Sequence, residues 1–282
     1  MNNYLDSFYD WWKNIDKYLL FLIIGLFFLG LFFSLVSTSL IASDKLNTNS
    51  YHFFLKHLSY ISLGISILIF FSFLNQKILI KISFVLFLVT FLTLFLVPFI
   101  GIEIKGSKRW LDLFFLPRFQ PIEILKPFFI ITLSLLLSLK NRKLYLKYFL
   151  STIILFPILL LLVYQPDLGQ TFLISMIWLA LIFVSGINIL LFFIFFLTVG
   201  FVASYLVIFI PKFEYIKIRL FSFLDTSSSN NYQAERASDA IINGGFFGKG
   251  IGEGTLNSRV PEAHTDYIVS VISEEFGAII VI

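Results

Sequence analysis

Residues 18–42 read YLLFLIIGLFFLGLFFSLVSTSLIA, a stretch without a single charge. About 20 apolar residues rising 1.5 Å each cross the hydrocarbon core of a bilayer, so this run reads as a membrane-spanning helix. Outward from it the pattern repeats at 58–74, 82–100, 122–139, 148–164, 168–184, 189–210 and 267–282. The run at 122–139 carries Glu123 and Lys126 near its start, and the others up to residue 210 hold almost no charge. The prediction is an all-α, polytopic helix bundle of about eight spans.

Composition supports the same class. Hydrophobic residues make up 58% of the 282, charged residues only 13%, and phenylalanine alone occurs 37 times. A soluble domain carries about twice that share of charge, and mean hydropathy is +0.91 here. Cysteine is absent, which excludes disulfides and thiolate metal centres. Residues 1–17 are polar and aromatic and lack a short basic leader, and the first span is too long for a secretory core, so no cleaved signal peptide is expected.

Short basic loops set the expected orientation. Lys13, Lys17, Lys77, Lys81 and the cluster from Lys140 to Lys147 fall on one side, which the positive-inside bias makes cytoplasmic, together with the amino terminus. Alternation then puts residues 105–120, the Gln165-Pro166-Asp167 turn and the long loop 211–266 on the outer face. That face is also basic, with Lys105, Lys108, Arg109, Arg118, Lys126 and further cations in the long loop. Guanidinium and ammonium groups beside hydrocarbon suit the phosphate oxygens of a lipid; scattered solvated charge is the plainer reading.

The loop 211–266 is too long for a simple connector. Ser227-Ser228-Ser229-Asn230-Asn231 reads as a polar bend, and residues 243–254 place six glycines in a short run that lets backbone approach a partner closely. A phosphate-gripping nucleotide loop is not expected, because Gly248-Lys249 is followed by Gly250 and Ile251 and not by Ser or Thr. The loop ends on Pro261-Glu262-Ala263-His264-Thr265-Asp266, two acids and a histidine where the last apolar run begins. Acids near hydrocarbon persist when paired or working, which makes the cluster a candidate functional site. A helix cap by Thr265 or Asp266 is the competing explanation.

Two other polar groups stand out. Glu123 and Lys126, three residues apart, share one helix face; they read either as a structural ion pair or, with Arg109 and Arg118, as a cationic wall for an anion. Asp167 is the sole charge between Lys147 and Lys212, and a turn or helix cap accounts for it. Glu274 and Glu275 lie inside the last run, Glu274 about two turns beyond Asp266, where they either support a cleft or contact further helices.

Taken in order, these segments resemble the SEDS family, the FtsW/RodA group of bacterial cell-wall membrane proteins. Arg109-Trp110, then Gln120-Pro121-Ile122-Glu123-Ile124-Leu125-Lys126, is similar to the family's Arg-Trp and Gln-Pro-Ser-Glu with Lys, with Ile122 in place of serine. Pro166-Asp167-Leu168-Gly169 is a second match. Arg219-Leu220 to Asp225 resembles a third motif, with Thr226 replacing its proline. The glycine run and the Pro-Glu-x-His-Thr-Asp ending complete the order. Ala263, residues 243–254 and Tyr51 to His57 are similar to the FtsW side of the family; the RodA side is the runner-up.

The resemblance implies a reaction, polymerisation of lipid II into glycan strands at the outer membrane face, with lipid II flipping as the alternative. It implies Asp266 as general base and Arg109, Trp110, Glu123, Lys126, Asp167, Glu262 and His264 as substrate-binding residues. Three histidines without a ligand-spaced partner do not make a zinc site, although carboxylates and pyrophosphate can share a magnesium or manganese ion. The partners implied are a class B penicillin-binding protein, an FtsI-like transpeptidase, and other divisome membrane proteins; nucleic acid is not among them. The expected location is the inner membrane at the division septum. Family members have ten spans, so a chain ending within its eighth is expected to be incomplete.

Overall fold

The computed structural model describes residues 2–35, 51–104, 107–113, 117–140, 143–214, 217, 232–260, 263 and 267–282. Two compact units emerge, one of residues 75–220 and one of residues 1–74 with 221–282.

The first unit is a bundle of α4 (Gln76–Ile100), α5 (Pro121–Ser138), α6 (Leu144–Tyr164), α7 (Leu168–Val184) and α8 (Ile189–Phe209), with a small hairpin of β1 (Ile102–Ile104) and β2 (Ser107–Trp110) after α4. The strands pair antiparallel, with Ile104 opposite Ser107 and Ile102 opposite Trp110. This hairpin was not expected from hydropathy. The core is a stack of large apolar side chains, among them Leu94, Leu125, Phe129, Leu133, Ile158, Leu162, Ile174 and Ile182, drawn from α4 to α7. The outer surfaces of these helices are equally apolar: Phe95, Phe99, Phe149, Phe156 and most of α8 face outward. A helix apolar all round has no water-facing side, and in a bilayer lipid takes that place.

Most buried polar groups in this unit find partners within it, while Ser83 Oγ and Thr132 Oγ1 have none among the described residues. Trp178 donates to the Ser151 hydroxyl at 3.1 Å. Lys147, from the basic cluster at 140–147, is not solvated: its Nζ donates to the Leu137 carbonyl at 2.9 Å and closes the end of α5. Pro98, Pro127 and Pro157 lie inside helices, as membrane helices tolerate.

The second unit contains α1 (Asn2–Asn14), α2 (Lys17–Phe33), α3 (His52–Ser72), α9 (Tyr232–Gly244), α10 (Ile268–Phe276) and α11 (Ala278–Val281). Asp16 caps α2, accepting from the Leu19 amide at 3.1 Å, and α1 meets α2 at a 91° bend. Trp11 of α1 stacks on Phe73 and donates to the Ser72 hydroxyl at 2.9 Å.

Among the described residues five helices are long and apolar enough to cross a membrane, or six with the bent α1–α2 pair, and α7 is a shorter apolar helix. The chain is therefore an integral membrane protein. The run at 267–282 differs from expectation. It forms two short helices broken at Gly277, whose φ of +86° suits glycine and where a Cβ would lie 2.2 Å from the Phe246 carbonyl oxygen. α9 was also unexpected. Its packed face consists of Ala237, Ala240 and Gly244 at helical spacing, and small residues leave a weak hydropathy signal.

Candidate functional site

Within the unit of residues 75–220, one hydrogen-bonded network joins four of the residues singled out by sequence. Asp167 stands at the start of α7 and is 6% exposed. One of its oxygens caps the helix by accepting from the Gln170 amide at 3.4 Å, and the other accepts from Gln120 Nε2 at 2.9 Å. Arg109 Nε of β2 lies 3.6 Å from that second oxygen and also donates to the Gln165 carbonyl at 3.4 Å. Its Nη2 donates to the Pro166 carbonyl. The hairpin thus presents a guanidinium that fastens the α6–α7 turn and neutralises its buried acid. Asp167 is thus a helix cap that also accepts from Gln120 and lies beside Arg109.

At the first turns of α5, Lys126 Nζ lies 2.6 Å from Glu123 Oε2, the i,i+3 pair that the spacing suggests. Gln170 ties this pair to α7. Its Nε2 donates to Glu123 Oε1 at 2.6 Å, and its Oε1 accepts from Lys126 Nζ at 3.1 Å. Lys126 is 16% exposed and, among the described residues, has one of its three N–H donors left for a ligand. Arg118 is not in this network. It pairs with Asp112 at 2.8 Å on the surface. Trp110 is half-buried in β2, opposite Ile102.

Gln170 was missed as a functional residue. A neutral amide is inconspicuous in a charge scan; the available signal was a polar side chain one turn into an otherwise apolar helix. Gln165 was missed for the same reason: it is buried and donates to the Leu94 carbonyl at 3.3 Å, bracing the turn from below.

In the other unit, the glycine run does approach a partner closely, and the partner is α10 of the same chain. A Cβ at Gly244 would fall 2.1 Å from the Ser273 carbonyl oxygen, and one at Gly248 2.1 Å from that of Glu275. Lys249 and Gly250 amides donate to the carbonyls of Glu274 and Glu275 at 2.9 and 3.0 Å. Both glutamates are buried in this packing, and their carboxylates accept hydrogen bonds from Asn243, Thr255, Leu256 and Asn257. Glu262, His264, Asp266 and Arg219 lie outside the described residues. Among the described residues, no three His, Cys, Asp or Glu side chains gather to hold a metal ion.

Comparison with known proteins gives the lineage. The probable peptidoglycan glycosyltransferase FtsW of Caulobacter vibrioides is 30% identical over 283 residues, covering 95% of this chain and 68% of the relative. That of Coxiella burnetii is 34% identical over 279 residues, covering 94% and 73%. A chain of a peptidoglycan synthase complex that coordinates polymerization and crosslinking shares the fold, with TM-score 0.69, 24% identity, and coverage of 95% of this chain and 73% of that one. The rod shape determining protein RodA of Thermus thermophilus matches less of the chain, with TM-score 0.55, 23% identity, and coverage of 68% and 60%. The sequence pattern of the FtsW/RodA/SpoVE cell cycle proteins matches residues 17–282. With that match over nearly its whole length, and relatives at this identity on the FtsW side, the chain belongs to the FtsW/RodA/SpoVE family.

Proposed function

We propose that this protein is a peptidoglycan glycosyltransferase of the FtsW type, polymerising lipid II at the outer face of the bacterial inner membrane during septal wall synthesis. The observation that carries this is FtsW similarity across 94–95% of the chain. The amino terminus is cytoplasmic by the basic-loop bias.

Glycosyl transfer needs a base for the acceptor hydroxyl and positive charge at the leaving pyrophosphate. Asp266 takes the proton as the acceptor oxygen bonds to the anomeric carbon of the donor, and the bond from that carbon to the pyrophosphate oxygen breaks with its electron pair leaving on pyrophosphate. Lys126, held by Glu123 and Gln170, keeps an N–H donor of the kind that binds a phosphate oxygen. Arg109 and Asp167 fix the turn against which this pair is set. Trp110, Glu262 and His264 are proposed to contact the glycan or peptide. Magnesium or manganese is proposed only as a companion of the pyrophosphate, because among the described residues no three His, Asp or Glu side chains gather to hold it. The proposed partner is a class B penicillin-binding protein acting as transpeptidase, alongside other divisome membrane proteins, in keeping with a fold neighbour from a complex that couples polymerization to crosslinking.

The test is reconstitution of the chain in vesicles holding labelled lipid II. A ladder of glycan strands is expected. Movement of lipid II between leaflets without polymer would favour the flippase reading and overturn this one.

Gln170→Leu removes both bridging bonds while keeping the helix. Loss of a hydrogen bond to a charged group weakens the site by about 1.5–3 kcal/mol, so a fall of about tenfold or more in initial polymerisation rate is expected. Gln170→Glu, which faces Glu123 with a second carboxylate, is expected to be worse than Gln170→Leu.

A further inference from the structure

Glu274 is completely buried, and its side-chain hydrogen bonds among the described residues run to the end of α9 and to the loop that follows it. Its Oε1 accepts three hydrogen bonds: from Asn243 Nδ2 at 2.8 Å, from the Thr255 amide at 2.9 Å and from the Leu256 amide at 2.9 Å. One oxygen therefore gathers the carboxyl end of α9 and the exit of the glycine run onto α10. Its neighbour repeats the device, since Glu275 Oε1 accepts from the buried Asn257 Nδ2 at 3.4 Å. Beyond these anchors, Val260 and Ala263 are buried against Ala237, Ala240 and Val271, with Leu256 and Tyr267 packed on them. Residues on both sides of Asp266 are thus seated on the same surface.

We infer that Glu274 is a positioning residue for the proposed polymerisation, holding the end of α9 and residues 255–256 on α10 so that the chain leading toward Asp266 departs from a fixed point. This rests on the reading of Asp266 given above. The bonds made by Glu274 use acceptor geometry: among the described residues its Oε1 accepts from neutral donors and its Oε2 has no hydrogen-bond partner. Asn257 Oδ1 is likewise without one. A glutamine fits this environment, because its carbonyl oxygen keeps the three donors and its amide supplies N–H groups where Oε2 now lacks a partner. Alanine removes the acceptor that two backbone amides and the Asn243 amide share.

The experiment pairs activity with hydrogen exchange in vesicle-reconstituted protein, comparing the parent, E274A and E274Q. The Thr255 and Leu256 amides are expected to be protected in the parent and in E274Q and to exchange freely in E274A. Polymerisation is expected to fall about a hundredfold in kcat for E274A, the scale of a displacement of about 1 Å at a reacting group, with KM little changed and with recovery in E274Q. E274A polymerising at the parental rate with both amides protected would overturn the inference. So would an E274Q as inactive as E274A with both amides protected, since the charge and not the acceptor would then matter. If E274A does not accumulate, E274Q alone decides, and parental activity is required of it. A parent that makes no glycan refutes the proposed function, and amide exchange then judges the positioning by itself.

Discussion

Asp266→Asn is expected to lower glycan polymerisation by about 10²–10⁴-fold, the usual contribution of a positioned general base, while the protein still folds and inserts. Asparagine is chosen because it separates the two explanations for an acid at this place. Asn and Asp cap helices about equally well, so a residue that only starts the last helical segment tolerates the change. A base does not, because the amide has no lone pair able to take the acceptor proton. The preceding Thr265 offers a matched control: Thr265→Ala removes a hydroxyl cap and is expected to cost stability before activity. Both variants are read in the vesicle assay with labelled lipid II, beside their thermal unfolding. Parental polymerisation by Asp266→Asn would remove the base assignment and return the segment to a capping role.

The second large effect is on stability. Arg109→Ala is expected to destabilise the unit of residues 75–220 by up to about 3–5 kcal/mol, the upper end being the cost of stripping a buried acid of its partner, since Arg109 itself is part-exposed. Asp167 is buried, and with Arg109 gone its carboxylate keeps, among the described residues, Gln120 and the Gln170 amide. The carbonyls of Gln165 and Pro166 lose their donor in the same step. For a unit of this size such a loss lowers the unfolding temperature on the order of 10 °C, measurable by thermal unfolding in detergent. Arg109→Lys is expected to recover only part of it, because an ammonium cannot span two carbonyls and a carboxylate with the planar fork of a guanidinium. A shift of a degree or two for Arg109→Ala would show that the turn is held by Gln120 and Gln165 without it.

Most of the helices were legible from hydropathy. A helix surrounded by lipid must be apolar on every side, so residues 76–100, 121–138, 144–164 and 189–209 are recognisable without any knowledge of their neighbours. Where helices pack against protein instead, that signal fades. α9 hides behind alanines and a glycine, and α10 carries Ser270, Ser273, Glu274 and Glu275, all buried. The candidate site was legible as a set of charged residues and motif matches, but not as a network. Asp167 and Gln120 are far apart in sequence and meet only because the α6–α7 turn folds onto the start of α5. Gln170 carried no charge to draw attention and is nonetheless the link between two groups that sequence treated separately.

The sequence by itself determined that this is a polytopic membrane protein of the FtsW/RodA/SpoVE family, because lipid imposes its hydropathy requirement residue by residue and the motifs are contiguous. Only the tertiary structure decided what the polar residues do: that Arg109 serves Asp167, that Gln170 joins Glu123 to Lys126, and that the glycine run exists to lie on α10. Hydrogen bonds depend on the position and direction of atoms a few ångströms apart, and those are fixed by packing between distant segments.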